Sequence, residues 1–455
     1  MLVIISDIHL GDGTTAGSIS PTAFDLFANR LSETAYFASF RQDGSYRPIE
    51  TLDLLLMGDI LDPLHSTLWL DTAPGAVNYT RPWTDVNSLM FVNTLADTTK
   101  AIIDVNRESL KILRRCASGE VVRLPPANAR REPDANSKER ISIPVRIHYM
   151  VGNHDWYYHL PGSPFDEIRK TVIAELGLCN DARPFPYEVE EDAELWEILQ
   201  PYRVFPRHGD YYDNFNFNRE KGRDHATLGD IFTMDVCNRY PVEVQRLYGN
   251  QLPGGVIDSL RLITNVRPAL ATPLWISGQI KRHAESAALE KELKSLWDNL
   301  CDEFLQLDVV REEDKAFKFD IVDALQLLIK ISKRTSFDTI NDIVIWVRNR
   351  LQEDERSLAE HALREPAFLN NSARFVVYGH THHHEITPLD SDGEPPDEQN
   401  QLYINSGTWR SYYDLAVKNP SEQKFVQYQT LTYLTFYKDD ERSGGVFETW
   451  SGAYV

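Results

Sequence analysis

The stretch Leu2-Val3-Ile4-Ile5-Ser6-Asp7-Ile8-His9 decides the fold, because four apolar residues run directly into a carboxylate and an imidazole. A short, β-rich apolar run that ends in a polar cluster is typical of a buried strand. Asp7 and His9 are two residues apart, so on an extended strand both side chains would face the same way, although this holds only approximately beyond the strand end. A carboxylate beside an imidazole forms half of a site for a divalent transition metal.

Four more apolar runs along the chain end in polar clusters. The clusters are GDILD at 58–62, GNHD at 152–155, RHGD at 207–210 and GHTH at 379–382. In open α/β sheets, ligands bind outside the carboxyl ends of the strands. The repetition therefore predicts an α/β fold in which five strands deliver Asp, Asn and His side chains to one edge.

Two of these clusters supply carboxylate, amide and imidazole groups. Gly58 allows a tight turn and a close approach, and Asp59 after it has two oxygens that could bridge two cations. Asp62 could orient a metal ligand from behind. Asn153 offers a neutral amide oxygen, and His154 beside it could act on a substrate proton.

The other two clusters add imidazoles. His208 follows a short apolar run, and His380 and His382 repeat the two-residue spacing of the first cluster. Any one of these clusters alone is an ordinary turn after a strand. Their order, each after an apolar run, favours a common site.

The charge of this ligand set indicates the kind of substrate. Asp7 and Asp59 supply two negative charges, and the other candidate ligands are neutral. Two divalent cations would leave about two positive charges uncompensated, which suits a phosphate ester and the extra charge of its transition state. Two metals about 3.5–4 Å apart can activate a water and hold the phosphoryl oxygens.

The five motifs in this order resemble those of the calcineurin-like metallophosphoesterases. The resemblance implies a four-layer α/β/β/α sandwich and a dinuclear site. The implied ligands are Asp7, His9 and His382 for one metal, Asn153, His208 and His380 for the other, and Asp59 as the bridge. A metal-bridging hydroxide would attack phosphorus in line, and His154 would protonate the leaving oxygen or stabilise the developing charge. Manganese is the favoured metal, with iron, zinc or nickel as alternatives.

Two branches of that superfamily can be compared with this chain. The serine/threonine protein phosphatases carry GDxVDRG and GNHE, whereas this chain has GDILDPL and GNHD, with Pro63 in place of the arginine. The HGD form around His208 resembles bacterial UDP-2,3-diacylglucosamine pyrophosphate hydrolases, which place a helical lid between HGD and GHxH. The corresponding segment here is far longer. Phosphodiester, phosphomonoester and pyrophosphate substrates all stay open, with a slight preference for a diester or nucleotide-type substrate.

The chain of 455 residues divides into three predicted parts. Residues 1–230 and 364–455 form the phosphoesterase core, and residues 231–363 form a helical insertion or cap. Helical spacing of apolar residues within 289–297 and 321–329 supports the insertion. In the core, helices are predicted over 22–40 and 85–116.

Composition limits the partners. Lys and Arg total 47 against 68 Asp and Glu, a net charge of −21, which argues against a broad nucleic-acid surface but leaves a local basic groove open. A nuclease acting on nucleic-acid ends is one alternative, and a metal-binding, non-catalytic scaffold of the same fold is another. Four widely spaced cysteines, no apolar run long enough to span a membrane and no signal-peptide pattern predict a cytoplasmic protein. The sequence does not predict an oligomeric state.

Three further residues are candidates for substrate contact. Arg207 and Arg410 flank the expected metal-site loops and could grip a phosphate or a leaving group. Trp156 follows GNHD and could stack on a base or line a pocket. The competing interpretation makes the arginines ion-pair partners and places the tryptophan in the core.

Overall fold

The computed structural model describes residues 1–15, 17, 19–253, 255–266, 271–316, 358–392, 399–415, 424–438 and 440–453. Within them the protein is mixed α/β, and its two main sheets contain both parallel and antiparallel strand pairs. The predicted α/β class is confirmed. Among the described residues, no helix combines the length and apolar character that a membrane crossing requires.

The strands are β1 (Leu2–Ile5), β2 (Leu52–Met57), β3 (Arg123–Leu124), β4 (Ile141–Ser142), β5 (Val145–Met150), β6 (Val204–Pro206), β7 (Phe375–Tyr378), β8 (His384–Asp392), β9 (Gln399–Ser406), β10 (Ser411–Leu415), β11 (Phe425–Phe436) and β12 (Phe447–Ala453). The helices are α1 (Pro21–Ala38), α2 (Leu89–Val105), α3 (Arg107–Ala117), α4 (Ser163–Leu176), α5 (Ala193–Leu199), α6 (Leu228–Phe232), α7 (Arg239–Tyr248), α8 (Val256–Arg261), α9 (Thr272–His283), α10 (Ala287–Gln306), α11 (Asp308–Ala316) and α12 (Pro366–Leu369).

Each sheet contains three neighbouring strands that run in parallel. The first sheet has the order β10-β11-β1-β2-β5, with β12 pairing with β11. In it β1, β2 and β5 are parallel, and β11 is antiparallel to β1. The second sheet has the order β6-β7-β9-β8, in which β8 alone is antiparallel to its neighbour. Strands that run in parallel end at the same edge of their sheet, so the loops after them lie side by side.

Alternation along β1 shows how the layers pack. Val3 and Ile5 belong to an apolar core that includes residues of helices α1–α4, whereas Leu2 and Ile4 belong to a core that includes Phe375 of the second sheet. Successive strand residues face opposite sides of a sheet. The first sheet therefore has helices on one face and contacts the second sheet through the other.

The two helices predicted in the core differ in outcome. The helix predicted over 22–40 is confirmed as α1. The helix predicted over 85–116 is two helices, α2 and α3, which meet at Asn106. The side chain of Asn106 donates to the carbonyls of Ile102 and Gly11, each at 2.8 Å. The break thus attaches the helix pair to the loop after β1.

The described residues of 228–316, which we call the helical segment, form helices α6–α11 around a second apolar core, to which Phe215 also belongs. Thr227 and Asp230 cap its start by hydrogen-bonding each other's backbone N–H. A π-helix, Thr233–Asn238, precedes α7. Residues 317–357 of the predicted insertion, which include its second apolar repeat, lie outside the described residues, and the boundaries at 231 and 363 stay predictions.

Candidate metal centre

Loops that follow the parallel strands of both sheets bring the predicted ligands together. The loops and their residues are β1 with Asp7 and His9, β2 with Asp59, β5 with Asn153, β6 with His208, and β7 with His380 and His382. All seven side chains lie within a chain of contacts, which is described below.

The backbone at these positions is unusual. Asp7 and His9 follow strand β1, which ends at Ile5, and both have positive φ, 52° and 53°. Their side chains converge through this loop conformation and not through strand alternation. Asp59, His380 and His382 also have positive φ, so five of the ten described non-glycine residues with positive φ are predicted ligands. This conformation is unfavourable for residues with a Cβ, and such strain concentrates at functional sites.

Asp7, His9 and His382 form the first group. Nε2 of His9 lies 3.0 Å from Nε2 of His382. Oδ1 of Asp7 lies 3.9 Å from the first of these nitrogens and 3.4 Å from the second. Two imidazole nitrogens and a carboxylate oxygen therefore face one point.

Asn153, His208 and His380 form the second group. Oδ1 of Asn153 lies 3.2 Å from Nε2 of His208 and 3.0 Å from Nδ1 of His380. The other nitrogen of each ring is also engaged: Nδ1 of His208 faces the Met57 carbonyl at 3.1 Å, and Nε2 of His380 faces Oδ2 of Asp213 at 2.9 Å. Those outer contacts hold the ring orientations.

Asp59 lies between the two groups. Its Oδ2 is 3.7 Å from Nε2 of His9 and 3.3 Å from Nε2 of His208. Its Oδ1 accepts a hydrogen bond from the backbone N–H of His154 at 2.8 Å. One carboxylate thus contacts both groups while its orientation is fixed by the next loop.

Burial and charge shape the protonation of these groups. Burial, reinforced by the Asp59 carboxylate, raises the pKa of Asp7 to about 6 against the attraction of His208. Burial also raises the pKa of Asp59, but the charges of His208 and His154 outweigh it, and the net pKa lies below the usual range. Burial lowers the pKa of His9 to about 3, which leaves this imidazole neutral and able to donate a lone pair.

Two glycines allow the carboxylate and the imidazole to approach the backbone. Gly58 has φ 83°, and a Cβ there would meet the ring of His208. A Cβ on Gly152 would lie 2.7 Å from Nε2 of His208 and would also meet Oδ1 of Asp59. Only glycine leaves room for these contacts.

Asp62 contacts three imidazoles, one of which belongs to the first group of predicted ligands. Its Oδ2 lies 2.9 Å from Nδ1 of His9 and 2.5 Å from Nδ1 of His65, and its Oδ1 lies 3.2 Å from Nδ1 of His154. Burial raises the pKa of Asp62, but the neighbouring charges of His65 and His154 outweigh it and hold the pKa well below the usual range. The single carboxylate of Asp62 therefore orients three imidazole rings.

Three residues in the centre were missed by the sequence reasoning. Asp155 accepts from the backbone N–H of Ile60 at 2.9 Å and of Gly152 at 2.5 Å, so it joins the loops after β2 and β5. His65 contacts Asp62, and Asp213 contacts His380, as described above. Position in the sequence was the signal for all three, since Asp155 is the last residue of GNHD and since His65 and Asp213 each lie three residues after a motif.

Arg410 connects the centre to the helical segment. Its guanidinium lies 3.4 Å from Oδ2 of Asp62 and 3.3 Å from Nδ1 of His65, and it donates to Oγ1 of Thr264 at 3.2 Å. The structure thus places Arg410 beside the candidate metal centre, where Asp62, His65 and Thr264 contact its guanidinium. The substrate contact itself stays a prediction.

Arg207 and Trp156, the other two candidates for substrate contact, are both buried. The guanidinium of Arg207 is ion-paired with Glu188, Glu190 and Glu365, and the residue is 8% exposed. Trp156 is 2% exposed and belongs to the apolar core that includes residues of helices α1–α4. Its ring stacks on that of Tyr157 at 4.4 Å between ring centres. These contacts favour the structural interpretation of both residues.

The donor set fits a metal ion. The ligand atoms of Asp7, His9 and His382 lie within 4.8 Å of one another, as do those of Asp7, Asp59 and His208. Buried carboxylates and neutral imidazoles that converge on one point suit several divalent transition metals, so the residues do not select one.

Comparison with known proteins adds no assignment. No protein-family model matches the sequence, and a search of the curated proteins gives no match.

Proposed function

We propose that this protein is a dinuclear metal-dependent phosphoesterase of the calcineurin-like superfamily, with a four-layer α/β/β/α core. It would hydrolyse a phosphodiester, phosphomonoester or pyrophosphate bond. The observation that carries the proposal is the contact of all seven predicted ligand side chains through Asp59. Five separate chain segments supply them.

In this proposal each group of three ligands would hold one divalent cation, and Asp59 would contribute to both sites. Bound cations would lower the pKa of a water and neutralise phosphoryl oxygens, which is the chemistry that phosphate-ester hydrolysis needs. The two carboxylates Asp7 and Asp59 leave about two positive charges for a phosphate group. A phosphate ester is thus a better match than a neutral substrate.

His154 is the candidate general acid. Asp62 accepts from Nδ1 of His154, and this contact selects the tautomer and the ring orientation. When protonated, the ring would carry a second N–H, on Nε2, to donate to the leaving oxygen. The negative charge of Asp62 stabilises that protonated form, so the pair is suited to release an alcohol.

Hydrolysis of bis-p-nitrophenyl phosphate and p-nitrophenyl phosphate with added Mn²⁺ tests the proposal. We expect turnover by the wild type that is lost in Asp59→Asn and in His154→Ala, while His154→Ala still binds Mn²⁺. Asp258→Asn, on an aspartate whose side chain is 77% exposed in the helical segment, is the matched control and should keep full turnover.

Equal turnover by the wild type and Asp59→Asn would contradict the proposal. Two bound metals without turnover on either ester or on a phosphoester panel would favour the scaffold alternative. Steeply salt-dependent binding of DNA ends would favour the nuclease.

A further inference from the structure

The helical segment contacts the turn that carries the partner of His154. Asp62 precedes a 3₁₀ turn, Pro63–His65, and its Oδ1 accepts from the backbone N–H of His65 at 3.1 Å. Asn238 of the helical segment holds the middle of this turn. Each carbonyl of the turn accepts a hydrogen bond from a side chain outside it: Pro63 from Trp69 at 2.9 Å, Leu64 from Asn238 at 2.9 Å, and His65 from Thr15 at 2.7 Å.

Thr264 of the helical segment reaches Asp62 by a second route. Its Oγ1 accepts a hydrogen bond from Nη2 of Arg410 at 3.2 Å, and Nη1 of the same guanidinium lies 3.4 Å from Oδ2 of Asp62. Thr264 and Arg410 are both buried, so water competes little for these contacts. One planar guanidinium therefore joins the helical segment to the carboxylate that orients His154.

Asp62 is buried, and each of its oxygens faces more than one donor. Its Oδ2 faces Nδ1 of His9 and of His65, and its Oδ1 faces the backbone N–H of His65 and Nδ1 of His154. Among the contacts of Asp62 with the described residues, Arg410 supplies the one permanent positive charge, because a guanidinium does not lose its proton in proteins. A buried carboxylate depends on such a cation and on donors of fixed direction. A change in how Arg410 is held should therefore disturb Asp62 without altering any imidazole directly.

We infer that Thr264 of the helical segment is a positioning residue for the proposed hydrolysis. Through Arg410 it fixes the carboxylate of Asp62, and that carboxylate fixes the proton and the ring of His154. The inference rests on the proposed phosphoesterase function and adds that the helical segment takes part in protonating the leaving oxygen. If the carboxylate shifts, His154 no longer presents Nε2 in a fixed direction, so this protonation slows while metal and substrate still bind.

Phenyl and p-nitrophenyl esters separate protonation of the leaving oxygen from the other steps. p-Nitrophenolate is the weaker base and departs more readily without a proton, so loss of a general acid slows the phenyl ester more. The substrates are diphenyl phosphate and bis-p-nitrophenyl phosphate, or the corresponding monoesters if the wild type hydrolyses only those. The full chain with saturating Mn²⁺ gives kcat and KM for each ester.

Thr264→Val keeps the branched shape of the side chain but removes the acceptor for Arg410. We expect kcat on the phenyl ester to fall about tenfold more than kcat on the p-nitrophenyl ester, while KM and Mn²⁺ affinity stay unchanged. Thr264→Ala should show the same selective fall. Thr264→Ser retains the hydroxyl and should keep the wild-type ratio. Thr272→Val, at another buried threonine of the segment, is the matched control and should also keep it.

A double variant tests the route through Asp62. If Thr264 acts through that carboxylate, its effect disappears once the carboxylate has been replaced. In the Asp62→Asn background, Thr264→Val should change kcat on the phenyl ester by about twofold or less. A further loss as large as in the wild-type background would show that Thr264 acts by another route.

Two failures are distinguishable. Turnover by the wild type, with kcat on the two esters lowered equally or not at all in Thr264→Val, overturns the positioning role alone, and so does an additive loss in the double variant. Absence of turnover by the wild type on every ester, including bis-p-nitrophenyl phosphate, overturns the proposed function and this inference with it.

Discussion

Aspartates are buried both in the candidate metal centre and in the helical segment, but their surroundings differ. In the centre, Asp7, Asp59 and Asp62 each face at least one imidazole from another loop. In the helical segment, Asp230 is held by the capping hydrogen bonds with Thr227, and Asp235 lies 3.6 Å from Arg239 one turn away. These hydrogen-bond and ion-pair partners in the segment are local in sequence, whereas those in the centre include residues that are distant in sequence.

Backbone conformation separates the two regions in the same way. Five predicted ligands in the centre have positive φ, and no described non-glycine residue of 228–316 does. Burial of a charge is therefore not what marks the candidate site. Convergence from distant segments, combined with local strain, is the more informative feature.

The largest difference between the regions is expected on replacing one aspartate in each. Asp62→Asn removes the charge that stabilises protonated His154, so kcat at saturating Mn²⁺ should fall by about 10²–10⁴-fold, the usual contribution of general acid catalysis. Asp235→Asn is the buried control in the helical segment and should leave kcat unchanged. Similar losses in the two variants would mean that Asp62 acts through the fold alone.

A smaller effect is expected at Asp213, which contacts the outer nitrogen of His380. Asp213→Asn keeps an acceptor but removes the charge, so Mn²⁺ affinity should fall by about 10–100-fold. Competition with a chelator measures this affinity, and Asp258→Asn in the helical segment should match the wild type. Unchanged affinity in Asp213→Asn would show that this contact does not tune the centre.

The candidate metal centre could be predicted from the sequence because each of its motifs is recognisable from a few neighbouring residues. Each apolar run and the polar cluster after it, such as Leu2–Ile5 with Asp7 and His9, can be read from neighbouring residues, and parallel pairing then aligns the clusters. The α/β class and helix α1 were predicted on the same basis. The sequence did not predict why the side chains converge. The left-handed backbone conformation at Asp7 and His9, and not the alternation of side chains along a strand, brings them together.

Contacts between distant residues without a motif could not be predicted. Asp213 and His65 resemble many other polar residues near turns, and only the fold brings them to His380 and Asp62. The break at Asn106 was also missed, because the apolar pattern continues across it. For the helical segment, periodicity predicted helices but carried no information on the contact of Thr264 with Arg410.

The smallest effect is expected on stability, at Asp230 in the helical segment. Burial raises the pKa of Asp230 to about 7 against the hydrogen bond from Thr227. The folded state then keeps a proton that the unfolded chain loses near pH 4, so this residue lowers stability as pH rises from about 4 to 7. Asp230→Asn removes that term and retains the cap acceptor. At pH 8 the variant should exceed the wild type by about 1 kcal/mol in free energy of unfolding, because relaxation reduces the cost of the buried charge. Urea unfolding at pH 5 and pH 8 measures the difference, which should be smaller at pH 5, and an equal difference at both pH values would show that Asp230 does not titrate in this range.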